Sequence, residues 1–200
     1  MVIFDSNFVL TLLSEVKIGP TDPSTGSPLT YHEQRVQALF DALEAANEVI
    51  GIPTPVVAEI GIKTDRSTQQ LVSIFSSSSR FRFLEFDVRA AIECAELARE
   101  GDVAGNKRYD SNPGESWAKV KFDRQIFAIA KVHQAECVFT WDKHLAKICY
   151  RHGIKTISIF ELSVPDNARQ MELEIAVEMS QLNAHADTQE VEVQHKPEDS

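Results

Sequence analysis

Four acidic side chains stand where a folded chain could turn them on a single ion. Asp5 follows the apolar run Val2-Ile3-Phe4, and Asp142 follows Val138-Phe139-Thr140-Trp141. Each therefore lies at the carboxyl end of a predicted buried strand, which is where open α/β sheets collect their ligands. Glu59 is flanked by Val56-Val57-Ala58 and Ile60, and Asp123 precedes Phe127 and Ala130 by helical steps of four and three. Both sit near the starts of predicted helices, on the edge of apolar, core-facing stripes. Converging carboxylates repel one another, and burial raises their pKa unless a cation or hydrogen bonds favour the charged form. A hard, oxygen-preferring divalent cation relieves that repulsion, so the inference is Mg²⁺ or Mn²⁺. Such an ion activates water and stabilises charge on phosphate, which is the chemistry of phosphodiester hydrolysis. Asn7 and Thr140, each two residues from an acid, could orient a carboxylate or a bound water. Taken singly, Asp5 and Asp142 are equally ordinary helix caps, and Glu59 and Asp123 equally ordinary first-turn acids. Their combination carries the metal reading.

The elements that must hold these acids follow from the apolar pattern. Val2 to Phe4 predicts a short strand, and Phe8, Leu12 and Leu13 begin a helix that ends near Lys17. Gly19-Pro20, Pro23, Gly26 and Pro28 make residues 18 to 30 a loop, after which Thr30 and Glu33 predict a capping box and Val36, Leu39, Phe40 and Leu43 a buried stripe. Val49 to Ile52 predicts the second strand, and Thr54-Pro55 the start of the helix bearing Glu59. Residues 81 to 86 resume a strand pattern after a serine-rich loop at 76 to 79, and Asp87 caps a helix carrying Ile92, Ala95 and Leu97. A long polar loop at 101 to 116 precedes the helix of Asp123. Cys137 to Trp141, a short helix with Leu145, Ile148 and Cys149, and a last strand from Ile154 to Phe160 complete the pattern. Alternation of strand and helix predicts an α/β protein with three layers, α/β/α, around a central, mostly parallel sheet.

Residues 1–162 are expected to form one such domain, 163–183 an amphipathic C-terminal helix with Met171, Ile175, Met179 and Leu182 on one face, and 184–200 an acidic, disordered tail. No stretch is long and apolar enough to span a membrane, and the N-terminus, with Asp5 inside its first apolar run, lacks the basic-then-apolar pattern of a secretion signal, so a cytoplasmic protein is expected. Cys94, Cys137 and Cys149 are odd in number and scattered through apolar segments, which predicts free thiols in place of a disulfide framework or a zinc site. The net charge is −10, but from residue 161 onward ten acids face only Arg169 and Lys196, a balance of −8. Residues 1 to 160 therefore carry only −2, and a nucleic-acid substrate remains electrostatically feasible.

Phe4-Asp5-Ser6-Asn7, Val56-Val57-Ala58-Glu59-Ile60, Phe122-Asp123-Arg124-Gln125-Ile126 with Ala128 and Ala130, and Phe139-Thr140-Trp141-Asp142 together resemble the four acidic motifs of PIN-domain ribonucleases, especially VapC-type toxins. The resemblance covers about residues 2 to 160. It implies an acidic pocket binding Mg²⁺ or Mn²⁺ and cleaving RNA, with Asp5, Glu59, Asp123 and Asp142 as catalytic and metal-binding residues and Asn7 and Thr140 in support. It also implies a homodimer and an antitoxin protein that blocks the pocket. The loops at 18–30 and 101–116 and the acidic tail depart from the shorter typical toxins. Lys119, Lys121, Arg124, Lys143 and Lys147 lie close in sequence to the third and fourth acids and could contact the RNA backbone, or simply be solvated helix charges. A noncatalytic PIN-fold module that binds RNA or protein is the alternative function.

Overall fold

The computed structural model describes residues 1–103, 116–168 and 170. Two units divide the chain, Met1–Leu162 and Ser163–Ser200. In the first unit the order is β1 (Val2–Phe4), α1 (Ser6–Leu12), α2 (His32–Ala45), β2 (Ile50–Pro53), α3 (Thr54–Lys63), α4 (Thr68–Ser76), β3 (Phe81–Leu84), α5 (Val88–Val103), α6 (Trp117–Val132), β4 (Cys137–Phe139), α7 (Lys143–Arg151) and β5 (Lys155–Ile157), followed by a 3₁₀ turn at Ile159–Glu161. Most of the loop expected at 101–116, and nearly all of the helix and tail expected beyond 163, lie outside the described residues. Among the described residues no helix is long and apolar enough to cross a membrane.

Five parallel strands run in the order β3-β2-β1-β4-β5. The central strands are short and wholly apolar because helices cover both faces; Ile3, Phe4, Ile50, Ile52 and Val138 have no exposed surface. β1 pairs with β4 in the register Val2↔Cys137, Ile3↔Val138 and Phe4↔Phe139, and the amide of Asp5 extends that ladder by donating to the Phe139 carbonyl at 3.1 Å. The residues that follow Phe4 and Phe139 thus emerge side by side at the middle of the sheet. Phe4, Phe8 and Phe139 pack ring against ring just beneath them, with centroids 5.4 to 5.6 Å apart.

Gly51 shows how closely the sheet and its side chains fit. A Cβ at this position would lie 2.5 Å from Leu84 Cδ1 and 3.2 Å from Ile3 Cγ1, both inside the core. Gly51→Ala is expected to lower the unfolding free energy by about 1–3 kcal/mol through overpacking. Urea titration checks this, and an unchanged midpoint would show that β2 and β3 have room to spare.

Three local expectations are corrected. The Thr30–Glu33 capping box does not form: α2 begins at His32 behind Tyr31, whose φ is 56° and whose side chain makes no cap. The preceding loop dictates that entry, pinned by a Thr21–Pro28 bridge, by the Leu29 amide on the Pro20 carbonyl at 2.8 Å and by His32 Nε2 at 2.9 Å from the Val16 carbonyl. Ile92, 57% exposed, and Ala95, also exposed, do not belong to the buried face of α5; among its described side chains Ala90 and Leu97 are buried. A helix absent from the sequence reading, α4, is started by a Ser67–Gln70 capping box and buries Leu71 and Phe75, which are four residues apart.

Candidate active site

A cleft of about 420 Å³ opens at the carboxyl ends of β1 and β4, lined by Asp5, Ser6, Asn7, Glu59, Ile62, Lys63, Lys119, Phe122, Asp123 and Asp142. All four acids singled out in the sequence face it. They come from four separate stretches of chain, and local structure aims each one.

Asp5 caps α1 and is buried. Its Oδ1 accepts from the Ser6 amide at 2.6 Å and the Ser6 hydroxyl at 3.3 Å, and its Oδ2 accepts from the Thr140 hydroxyl at 2.8 Å. These donors are neutral. Burial pushes the Asp5 carboxyl up to about 7, aided by the charges of Asp123 and Glu59 and only partly opposed by the bonds from Thr140 and Ser6. Thr140 thus orients Asp5, and its own oxygen also accepts from the Asp142 amide at 3.0 Å, so one buried hydroxyl ties the first acid to the segment bearing the fourth. Asn7 lies on the cleft wall.

Asp142 is the N-cap of α7, its Oδ1 accepting from the amides of His144 at 2.8 Å and Leu145 at 3.1 Å. Its other oxygen, Oδ2, is 2.5 Å from Lys119 Nζ. Burial would raise this carboxyl, but the Lys119 bond and charge and the α7 amides outweigh it and hold the group below its usual range. Asp123 is the seventh residue of α6, nearly two turns in, so the first-turn role considered from sequence does not apply. It is buried, with Oδ2 at 2.6 Å from His144 Nδ1 and 3.1 Å from Lys119 Nζ. Glu59 sits on α3, half-buried, with Oε1 paired to Lys63 at 2.5 Å.

Sequence reasoning overlooked His144. This fully buried residue donates from Nδ1 to Asp123, and among the described residues its Nε2 has no hydrogen-bond partner. The signal was present: His144 and Ile148 are four apart on the buried face of α7. One atom each from Asp123, Asp142 and His144 lie within 4.8 Å of one another, a spacing able to hold a cation.

The basic residues separate into three environments. Lys119 enters the cleft. Lys121, Lys143 and Lys147 are exposed, Lys121 with Nζ 5.6 Å from the centroid of the Trp117 ring. Arg124 is buried and packs its guanidinium 5.4 Å from the same centroid, so it is withdrawn from the surface where an RNA backbone would pass. Cys137 and Cys149 are buried, Cys94 half-buried, and all three are free thiols.

The family model for the PIN domain matches residues 28–150, a stretch that includes Glu59, Asp123 and Asp142 and begins after Asp5. Among solved structures, VapBC2 from Rickettsia felis bound to a DNA fragment from its promoter is 18% identical, with a TM-score of 0.50 over 79% of this chain and 98% of that one. A toxin-antitoxin complex from Klebsiella pneumoniae is 19% identical, with a TM-score of 0.48 over 81% of this chain and 100% of that one. A curated relative, named glyceraldehyde-3-phosphate dehydrogenase in Methanosarcina mazei, is 23% identical over 134 residues, 62% of this chain. The matched stretch spans 39% of that relative's length.

Proposed function

The chain belongs to the PIN-domain family, and from that premise we propose that it is a metal-dependent endoribonuclease whose catalytic, metal-binding residues are Asp5, Glu59, Asp123 and Asp142. The observation that carries this reading is the convergence of those four carboxylates, from the α1 cap, α3, α6 and the α7 cap, in one cleft. The donor set fits Mg²⁺ or Mn²⁺. It consists of hard oxygens, and Asp5 is buried, with neutral donors only among the described residues, and is pushed up to about 7.

A divalent ion bound by these acids supplies an acidified water and charge neutralisation at the phosphate. The residues around it prepare the geometry. Ser6 and Thr140 fix the two oxygens of Asp5, His144 fixes Asp123, and the first amides of α7 fix Asp142, so the acids are aimed before substrate arrives. Ile62 and Phe122 give the cleft an apolar lip. In the reaction a water oxygen bonds to phosphorus, the bond from phosphorus to a ribose oxygen breaks, and that oxygen leaves with a proton. Lys121, Lys143 and Lys147, exposed and close in sequence to the third and fourth acids though outside the cleft lining, are proposed to hold the flanking phosphates.

The reading extends to a cytoplasmic, homodimeric toxin restrained by a small antitoxin. The VapC-like motifs and the fold shared with VapBC2 support it, and Ile62, Val88 and Ile92 offer exposed apolar surface for such contacts. The nuclease assignment is tested with purified full-length protein and single-stranded RNA. Cleavage is expected in Mn²⁺, none in EDTA, and none from Asp123→Asn. Cleavage that persists in EDTA overturns it, and absence of both cleavage and Mn²⁺ binding leaves a noncatalytic PIN-fold binding module.

A further inference from the structure

The cations around the four acids are unevenly distributed. Among the described residues Asp5 receives hydrogen bonds only from Ser6 and Thr140, both neutral, the charges of Asp123 and Glu59 raise its pKa, and Glu59 is itself paired with Lys63 at 2.5 Å. Asp142 and Asp123 instead share an ammonium: Lys119 Nζ lies 2.5 Å from Asp142 Oδ2 and 3.1 Å from Asp123 Oδ2. Those two acids, with His144, form the cluster whose spacing suits a cation. Lys119 is therefore seated in a place that a second divalent ion would otherwise take. The seat is built into the helix, because Lys119 precedes Asp123 by four residues on α6, so both fall on one face.

We propose that this cleft binds one divalent ion and that the Lys119 ammonium, held between Asp123 and Asp142, is a second, built-in cation, placed to neutralise the scissile phosphate. This inference rests on the metal-dependent nuclease reading and refines it. Two-ion phosphodiesterases use a pair of cations to stabilise the attacking and leaving oxygens; here the chain itself supplies one. A second Mn²⁺ entering beside Asp123 and Asp142 would have to displace Lys119 from both carboxylates or accept a like charge at close range.

The test is Mn²⁺ stoichiometry on EDTA-stripped full-length protein, measured by calorimetry and by electron paramagnetic resonance of free Mn²⁺. Wild type is expected to bind one ion per chain. Lys119→Met, which keeps side-chain length and removes the charge, is expected to bind two, and Lys119→Arg to stay at one. In parallel, the RNA-cleavage rate at subsaturating Mn²⁺ should change from first order in Mn²⁺ for wild type to second order for Lys119→Met, with at least a tenfold lower rate at low Mn²⁺. Two ions bound by wild type overturn the proposal, as does a single ion in both wild type and Lys119→Met. Failure of wild type to bind any Mn²⁺ overturns it too, but through the reading on which it rests, and that result is distinct from either of the others.

Discussion

Asp5→Asn should abolish RNA cleavage and at the same time make the ion-free protein more stable at neutral pH. The carboxyl is buried and pushed up to about 7, chiefly by desolvation, from an ordinary value of 3.8. Below pH 3.8 it is protonated in both folded and unfolded chains and costs nothing. Between 3.8 and about 7 the unfolded chain releases the proton while the folded chain keeps it, so stability falls as pH rises, by up to about 1.4 kcal/mol per pH unit. Above 7 the loss levels off. Asparagine has no such titration. It must satisfy Ser6 and Thr140 with one oxygen where Asp5 uses two, a cost of about 1 kcal/mol, smaller than the gain. Urea unfolding in EDTA should therefore show little difference, or a slight deficit, for Asp5→Asn at pH 4 and an advantage of roughly 1–3 kcal/mol at pH 8. Saturating Mn²⁺ should shrink or reverse the advantage, because only wild type gains the full binding energy, about 2.7 kcal/mol at one hundred times the dissociation constant. A wild type at least as stable as the variant at pH 8 in EDTA would remove the argument that Asp5 is held charged for function at the expense of stability.

Replacing Asp142 by serine and by alanine should separate two roles of one side chain. Oδ1 caps α7 and Oδ2 faces Lys119 in the cleft. Serine caps as well as aspartate, so Asp142→Ser should keep most of the unfolding free energy, within about 0.5 kcal/mol, whereas Asp142→Ala should lose about 1–2 kcal/mol. Both should lower kcat/KM for RNA by more than about a hundredfold, the scale on which loss of one preorganised electrostatic group acts. Paired urea titrations and cleavage assays make the comparison. Should the serine variant cleave RNA at the wild-type rate, Asp142 would be reduced to a cap.

The alternation of short apolar strands with amphipathic segments made the α/β sheet legible before any coordinates, and the two central strands could be paired by the acids that follow them. The four cleft acids were legible for the same reason: polar residues at strand ends and on apolar helix faces need a purpose. The sequence pattern did not reveal what satisfies those acids. His144 looks like any histidine beside a lysine until α7 turns it inward, and Lys119 reads as a solvated helix charge until its four-residue step to Asp123 is joined to Asp142 from another segment. Arg124 erred in the opposite direction, since a residue next to Asp123 on the helix points a full 100° away and is buried against Trp117. The α2 entry was misread because a loop held by long-range bonds, and not its own capping residues, sets where that helix starts.

The ladder that joins Phe4 to Phe139 and carries the amide of Asp5 onto the Phe139 carbonyl acts as a ruler for the chemistry. The excursion at 18–30 attaches after α1, outside that ladder. Insertions there can be grafted, shortened or exchanged among relatives without recalibrating the spacing of the groups at its tip. Evolution or an engineer can therefore vary that loop and leave the placement of the acids unaltered.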